Sequence, residues 1–279
     1  MSCTKWPPPR RSKPFYLAVA ASVLNTEPTL PLKTIKASEI ARAAAIYRAD
    51  KLIVYRDPYS TWKDYRLLKT LLEYIVTPPH LKKLVFPKDP KLRFAGLIKP
   101  LQTPAHMVPD KIRPGTVLDG VVESCGQGTC RILLGVNREG FTQEFRGARP
   151  GTIATFKVER VENGVIRLRY YRPSHYWNLN VEGSRNITRL ARSLSEQGFL
   201  IIGTSRLGRC VGEWISERMR AAKGFLLIFG GPRGHVWDSV DRNVMDVIVN
   251  TIPIQGTRTV RTEEAILASL SSISQYFRD

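Results

Sequence analysis

Residues 224–267 decide the fold, and they contain the runs GFLLIF (224–229), GGPRG (230–234), VMDVIV (244–249) and NTIPIQGTRTVRTEEAIL (250–267). Each apolar run has the length of a buried strand, and each ends in a loop that contains Gly and Pro. In an open parallel sheet, ligands bind just beyond the carboxyl ends of such strands. The sequence therefore predicts a ligand site formed by two loops at one edge of a parallel sheet.

Both loops suit close contact between a ligand and the main chain. Gly230, Gly231 and Gly234 permit close approach, while Pro232 and Pro253 stiffen their loops. No G-x-G-x-x-G follows the first strand and no G-x-x-x-x-G-K-[ST] occurs, so a phosphate cradle is disfavoured. We therefore expect a bent, mostly neutral ligand held by main-chain groups.

The chain alternates strands and helices before residue 77 and after residue 186. The predicted elements are strands at 15–24, 52–55 and 199–202 and helices at 34–49, 61–76, 186–197, 212–222 and 262–276. The last helix begins at Thr262, and Glu263 and Glu264 suit the positive end of its dipole. Strand–helix–strand units with short links predict a parallel sheet and an α/β domain.

The stretch between these two parts has a different sequence pattern, with several β-rich runs and no helical periodicity. Its β-rich runs are separated by Gly-containing turns, and they lie at 116–122, 130–134, 152–161 and 165–170. Asn163-Gly164 is a strong hairpin signal. About sixty residues with this rhythm predict a small OB-like β-barrel inserted into the α/β domain. Such a barrel binds single-stranded nucleic acid in some proteins and is a spacer in others, and both remain open.

The charge of the chain predicts a polyanionic partner. The net charge is +19, and the first hundred residues carry 19 Lys and Arg against 7 Asp and Glu. Nucleic acid is the usual partner of such a surplus, although a generally basic, soluble surface is an alternative. No run of eighteen apolar residues occurs, so we expect no membrane span. Residues 1–14 form a basic, Pro-rich segment that lacks the features of a signal peptide.

A basic connector at 78–111 holds seven of the nineteen prolines. The residues predicted to bind RNA are its cations Lys82, Lys83, Lys88 and Arg93. Phe86 and Phe94 lie among these cations, a pattern in which bases stack and phosphates pair. The alternative is that both rings anchor the connector to the rest of the protein.

The cysteines and histidines predict no metal site. Cys125 and Cys130 lack a second ligand pair at zinc spacing, and the four histidines are scattered. We therefore expect free, inert thiols and a cytoplasmic protein.

Several of these stretches resemble the SPOUT-class (trefoil-knot) RNA methyltransferases, in particular the archaeal and eukaryotic branch with an inserted OB-like domain. They are NTIPIQGTRTVRTEEAIL, FGGPRG (229–234), residues 201–205, EIARAAAIYRADKLIVYRD (39–57) and LLEYIVTPPHLKKLVFPKDPKLRFAGLIKPLQTPAHM (71–107). The resemblance implies S-adenosylmethionine as methyl donor, a knot near the C-terminus and a homodimer. It assigns 15–95 and 174–279 to a discontinuous methyltransferase domain and 96–173 to the inserted OB-like domain.

The resemblance also assigns the cofactor site to three loops. Its cofactor-binding residues are Thr204, Ser205, Arg206, Gly230, Gly231, Pro232, Gly234, Asn250, Thr251, Ile252, Gly256, Thr257 and Arg258. The first loop departs from the family pattern Gly-Thr-Ser-Glu-Arg-Gly, because here the arginine stands one place early, at Arg206.

Methyl transfer to a uridine nitrogen requires that a proton leave and that an anion be stabilised. Arg258 and Arg261 are the candidate cations, and a phosphate clamp or a dimer salt bridge is the alternative role for them. Glu263 or Glu264 is the candidate base, although a carboxylate at a helix N-terminus is a weak one, and the alternative role for both is to cap the helix dipole. His235 is a further candidate base beside the second loop.

The sequence thus predicts a methyltransferase that acts on RNA with S-adenosylmethionine. Ribosomal RNA is the expected substrate and uridine N3 the expected atom. The alternatives are a non-catalytic RNA-binding or ribosome-assembly protein that retains the fold, and a tRNA methyltransferase of the same class.

Overall fold

The computed structural model describes residues 5–108, 111–135, 138–162 and 164–277. Asn163 of the predicted hairpin turn and Pro109 of the connector lie outside these ranges, as do residues 1–4 of the N-terminal segment. Within them the chain forms two compact units. One comprises the described parts of 1–10, 77–90 and 102–177, and the other comprises 11–76, 91–101 and the described part of 178–279. A search of these ranges finds no helix with the length and hydropathy to span a membrane.

The larger unit contains a six-stranded, all-parallel sheet. Its strands are β1 (Phe15–Ala20), β2 (Lys51–Tyr55), β8 (Asn180–Ser184), β9 (Phe199–Cys210), β10 (Gly224–Phe229) and β11 (Val247–Asn250). Its helices are α1 (Leu30–Ile46), α2 (Trp62–Val76), α4 (Ile187–Glu196), α5 (Trp214–Ala221) and α6 (Thr262–Ser274). The strand order is β11-β9-β10-β1-β2-β8, and every neighbouring pair is parallel.

Helices cover both faces of this sheet, as a parallel sheet requires. Alternate residues of β1 point to opposite faces: Leu17 packs in the cluster that contains α1, α2, α5 and α6, whereas Ala18 packs in the cluster that contains α4. The whole of β10 is buried, which explains its continuous apolar run. The carboxyl ends of the strands therefore meet at one edge, where their loops can form a site.

The smaller unit is a closed five-stranded barrel. Its strands are β3 (Val117–Gly126), β4 (Thr129–Gly135), β5 (Arg138–Gln143), β6 (Ile153–Glu162) and β7 (Val165–Tyr170), and the short helix α3 (Lys82–Val85) belongs to the same unit. The strand order around the barrel is β3-β4-β5-β7-β6, with β5 and β7 parallel and the other pairs antiparallel. This order is that of a Greek-key barrel of the OB type. The predicted combination of a parallel sheet and an inserted barrel is confirmed, while the knot stays a prediction.

The two units divide the connector. Residues 77–90 group with the barrel, and residues 91–101 group with the sheet. The boundaries predicted at 95/96 and 173/174 stay a prediction.

Several sequence-based element assignments are corrected. The strand expected at 199–202 continues to Cys210, because Val249 and Asn250 of β11 pair with Arg209 and Cys210 after a register shift. The strand expected at 15–24 ends at Ala20, and a 3₁₀ helix follows at Ala21–Thr26. The strands β5 and β8 were not predicted.

The expectation of free thiols is wrong for two cysteines. Cys125 and Cys130 form a disulfide between the adjacent strands β3 and β4, with their Cα atoms 4.1 Å apart. The turn between these strands brings the two thiols together, which their spacing alone did not reveal. Cys210 is free and exposed.

Candidate functional site

The structure brings the first and third predicted loops together at the carboxyl edge of the sheet. β9 lies between β10 and β11, so the segments that follow these three strands are neighbours. Arg206 Nη1 donates a hydrogen bond to the main-chain oxygen of Arg258 at 3.3 Å, and Asn250 Nδ2 donates to the main-chain oxygen of Arg206 at 3.0 Å. Arg206 therefore joins the two loops, despite its displaced position in the sequence.

The other predicted residues of these two loops mostly hold the main chain in place. Thr204 Oγ1 donates to the oxygen of Ile228 at 3.0 Å, and Ser205 Oγ accepts the amide of Leu207 at 3.2 Å. Thr251 Oγ1 lies 2.6 Å from Ser269 Oγ, which ties the third loop to α6. The remaining predicted residues of the third loop, Gly256, Thr257 and Arg258, are exposed, and Ile252 is half-buried.

The second loop follows β10 and lies against residues that sequence reasoning missed. A Cβ at Gly231 would lie 2.1 Å from Ser22 Oγ and 3.2 Å from Asp57 Oδ2, so only glycine fits this close approach. Ser22 and Asp57 follow β1 and β2, and both are almost completely buried. Asp57 Oδ1 accepts the amide of Ser22 at 3.0 Å, whereas Asp57 Oδ2 and Ser22 Oγ have no hydrogen-bond partner. A buried carboxylate oxygen without a donor is costly, so these atoms favour a polar ligand or water.

Gly234, at the end of the same loop, has φ +71° and lies against Tyr59. A Cβ here would be 2.8 Å from Tyr59 Oη and 2.2 Å from Asp238 Oδ2. His235, a candidate base, donates its main-chain amide to Asp238 Oδ2 at 2.7 Å, and its ring stacks on Trp237 with centroids 4.3 Å apart. Pro232 and Gly230 complete the loop, with Pro232 exposed and Gly230 half-buried.

Glu263 and Arg261, at the start of α6, belong to a cluster of charges rather than to an open cleft. The Lys36 ammonium is almost completely buried, 2.8 Å from Glu27 Oε1 and 3.2 Å from Glu263 Oε2. Arg261 Nη1 donates to Glu27 Oε1 at 3.0 Å and lies 3.8 Å from Glu263 Oε1. The hydrogen bond from Lys36 lowers the pKa of Glu27, which keeps that carboxylate ionised.

This cluster bears on two predicted catalytic residues. Glu263 faces the buried Lys36, which favours the alternative that its charge stabilises the start of α6. Arg261 is engaged by Glu27, whereas no carboxylate of the described chain lies within ion-pair distance of Arg206 or Arg258. Arg258 is therefore the better available cation. Lys36 gave no sequence signal, since a lysine in a helix is normally exposed.

The predicted RNA-binding cations lie in both units. In the barrel unit, Lys83 and Lys88 are exposed, whereas Lys82 is half-buried and its pKa is lowered by burial. In the sheet unit, Arg93 is exposed and its guanidinium lies 4.5 Å from the centroid of Phe94. The role of these four residues in RNA binding stays a prediction.

The barrel unit contains one buried carboxyl group that the sequence did not single out. Asp119 Oδ1 accepts hydrogen bonds from Thr155 Oγ1 at 2.6 Å and from Trp177 Nε1 at 2.7 Å. Burial nevertheless raises the pKa of Asp119 to about 6. Its main-chain oxygen lies 2.8 Å from His80 Nε2, so Asp119 joins the barrel to the segment that precedes it.

Comparison with known proteins identifies the class. The profile of a putative RNA methyltransferase family matches residues 15–273, and the chain belongs to that family. The 28S rRNA (uridine-N(3))-methyltransferase of Homo sapiens is 29% identical over 303 residues, which cover 94% of this chain and 79% of that protein. An uncharacterized protein of Halobacterium salinarum is 31% identical over 265 residues, covering 86% of this chain and 92% of that protein.

Among solved structures, the chain is similar to the SpoU methyltransferase AviRb from Streptomyces viridochromogenes in complex with AdoMet. The TM-score is 0.41 at 10% sequence identity, and the match covers 99% of this chain and 62% of that chain.

The prediction of an RNA methyltransferase is thus confirmed, and S-adenosylmethionine is the methyl donor of this enzyme. The residues at the carboxyl edge fit that cofactor, because they combine glycine-lined main chain, unpartnered buried oxygens on Ser22 and Asp57, and the exposed guanidinium groups of Arg206 and Arg258. When bound, the cofactor supplies an electrophilic methyl group. Within the part of the chain that the structure describes, no group of three His, Cys, Asp or Glu is suited to a metal ion.

Proposed function

We propose that this enzyme methylates ribosomal RNA at N3 of a uridine. The observation that carries the proposal is the combination of the family membership with relatives named 28S rRNA (uridine-N(3))-methyltransferase in Homo sapiens, Mus musculus and Drosophila melanogaster. The net charge of +19 supports a polyanionic substrate.

The chemistry of uridine N3 suits the cations of the third loop. N3 carries a proton in neutral uridine, and transfer of this proton to solvent water leaves a negative charge shared with the neighbouring carbonyl oxygens. A guanidinium is always charged and donates in a fixed plane, so it stabilises such an anion well. We assign this role to Arg258, whose main-chain oxygen is held by Arg206 at 3.3 Å.

The loops at the carboxyl edge supply the positioning. Residues 204–206, 230–234 and 250–258 hold the donor, and the hydrogen bonds between the first and third of these loops limit how far either reactant can move. Positioning of this kind contributes a large share of the acceleration of a two-substrate reaction. Glu263 acts in this scheme through the charge cluster at α6, as a residue that positions the end of the third loop.

We also propose that the active form is a homodimer. Large apolar side chains are exposed on two helices of the sheet unit that pack against each other, namely Leu32 and Ile46 on α1 and Leu267 on α6. Light scattering on the purified protein should give twice the chain mass. Cytoplasmic localisation stays a prediction, and the disulfide removes part of the reasoning that supported it.

Nucleoside profiling of cells that lack this protein tests the proposed substrate. We expect 3-methyluridine to fall in the ribosomal RNA fraction and to be unchanged in tRNA. Loss from tRNA alone would support the tRNA alternative. Unchanged 3-methyluridine in both fractions would contradict the proposal.

A further inference from the structure

Two large aromatic side chains are exposed between β2 and the first turn of α2. Tyr59 is 42% exposed and Trp62 is 43% exposed. A single exposed apolar residue is common on protein surfaces, but two aromatic rings within four positions form a local patch. The guanidinium of Arg56 lies 5.0 Å from the centroid of the Trp62 ring, a cation–π distance.

The cations around these rings carry charge that the protein does not neutralise. Arg56, Lys63 and Arg66 are exposed, and no carboxylate of the described chain lies within ion-pair distance of them. Arg66 is one helical turn from Trp62, so both lie on the same face of α2. The nearby Asp64 is used locally, because it accepts hydrogen bonds from the amide and the hydroxyl of Thr61 at 2.9 and 2.7 Å.

The patch borders the second cofactor loop. Tyr59 Oη is 2.8 Å from the position of a Cβ on Gly234 and 3.5 Å from Asp238 Oδ2. The main-chain oxygen of Tyr59 accepts a hydrogen bond from Asn25 Nδ2 at 3.3 Å, so the tyrosine is held to the segment after β1 as well. An aromatic ring in this place can contact a group that approaches the methyl donor.

We infer that Arg56, Tyr59, Trp62, Lys63 and Arg66 form a nucleotide-stacking surface for unpaired RNA. Bases stack on the exposed rings, and the three cations pair with the phosphates on either side. Exposed rings with uncompensated cations are the features with which proteins bind single-stranded nucleic acid, whereas the base faces of a duplex are already stacked. The inference rests on the proposed function in one respect, that RNA is the substrate.

Photochemical cross-linking tests the contact directly. The probe is a single-stranded, uridine-rich RNA of about twelve nucleotides that carries 5-iodouridine, a length within the range of known single-stranded sites. Tyr59 and Trp62 both fall in the tryptic peptide 57–63, which lies between Arg56 and Asp64. We expect a cross-link in this peptide, lost in Tyr59→Phe/Trp62→Ala protein. Cross-links elsewhere and none in 57–63 would overturn the inference.

Affinity measurements with matched variants supply the second readout. Trp62→Ala should weaken binding of the same RNA about tenfold, and Trp62→Phe should retain most of the affinity. Arg66→Ala should reduce the slope of log affinity against log salt by about 1. The control is Ser193→Ala, which shortens an exposed side chain on α4 and should leave RNA affinity unchanged, because α4 covers the face of the sheet opposite to α2.

Two results would overturn the inference: equal RNA affinity for Trp62→Ala and Ser193→Ala protein, or an equal loss for duplex and single-stranded RNA. If the two variants bind RNA equally well and methylation is intact, the exposed rings and cations would serve another kind of partner, such as a protein. Failure of the proposed function looks different, because 3-methyluridine would not form although the RNA still cross-links to peptide 57–63.

Discussion

Substitution of Gly231 by alanine should weaken cofactor binding much more than it weakens the fold. The added Cβ would lie 2.1 Å from Ser22 Oγ and 3.2 Å from Asp57 Oδ2, and real Cβ atoms essentially never approach a heavy atom closer than 3.0 Å. Ser22 and Asp57 are buried and linked by a 3.0 Å hydrogen bond, so they yield little. Gly231 is only half-buried, so we expect the loop to move away from them.

The size of the effect follows from the cost of overpacking. One extra methyl group in a well-packed site costs about 1–3 kcal/mol. If loop displacement relieves that strain, the cost appears in the cofactor affinity, and each 1.4 kcal/mol is about tenfold. The dissociation constant should therefore rise roughly 5- to 150-fold. The unfolding temperature should fall by no more than about 2–4 °C per kcal/mol that remains in the fold.

Calorimetric titration with S-adenosylmethionine and S-adenosylhomocysteine measures this change, and thermal unfolding checks the fold. Gly96→Ala is the matched control, because a Cβ there would meet nothing within 4 Å. Unchanged affinity in Gly231→Ala protein would refute the placement of the cofactor at the second loop.

Three further changes test other parts of the structure. Gly208→Ala would place a Cβ 2.5 Å from a main-chain atom of β11, and main-chain atoms cannot rotate away as a side chain can. Thermal unfolding should therefore show that the free energy of unfolding falls by about 3 kcal/mol. An unchanged unfolding midpoint would contradict the pairing of β9 with β11. Lys36→Met should cost about 3–5 kcal/mol in urea unfolding at pH 7, because two buried carboxylates lose their cation. Since Lys36 lowers the pKa of Glu27, the wild-type protein should lose stability as the pH falls below about 4.5, and the variant should lose less. Because burial raises the pKa of Asp119 to about 6, the barrel should become less stable as the pH rises from about 4 to 6. The NMR shift of the Trp177 indole proton, which donates to Asp119, should titrate near pH 6, and Asp119→Asn should abolish this titration. A titration midpoint near about pH 4 would contradict the raised pKa.

The sequence predicts the central strands and most helices well because their patterns are local. β10 is apolar at all its positions, and α4 has its apolar residues at helical spacing. Each pattern therefore predicts the type of element and the face that is buried. The order of the sequence patterns along the chain also predicts the inserted barrel, since β-rich runs interrupt the alternation of strands and helices.

Elements that depend on partners distant in sequence could not be predicted. β8 has the sequence NVEGS, which contains one large apolar residue, and it is a strand because it pairs with β2 at the edge of the sheet. The length of β9 depends on β11, and Gly208 is required there because the main chain of β11 is in contact.

The candidate site shows the same limit. The loops with glycine and proline are visible in the sequence, because their backbone needs restrict the residue types. The partners beneath them are not visible: Ser22 and Asp57 become unusual only when their burial and unpartnered oxygens are known. Likewise, the sequence alone makes Glu263 a possible base, whereas the structure places the buried Lys36 beside it.

Methyl transfer from S-adenosylmethionine to uridine N3 of ribosomal RNA is the activity that we propose for this protein. The most direct test incubates the purified protein with unmodified ribosomal RNA and S-adenosylmethionine carrying a labelled methyl group, digests the RNA and identifies the labelled nucleoside by mass spectrometry. We expect label in 3-methyluridine, and we expect it to be greatly reduced with Arg258→Ala protein. Label in another nucleoside, or RNA without label from protein that binds the cofactor, would contradict it.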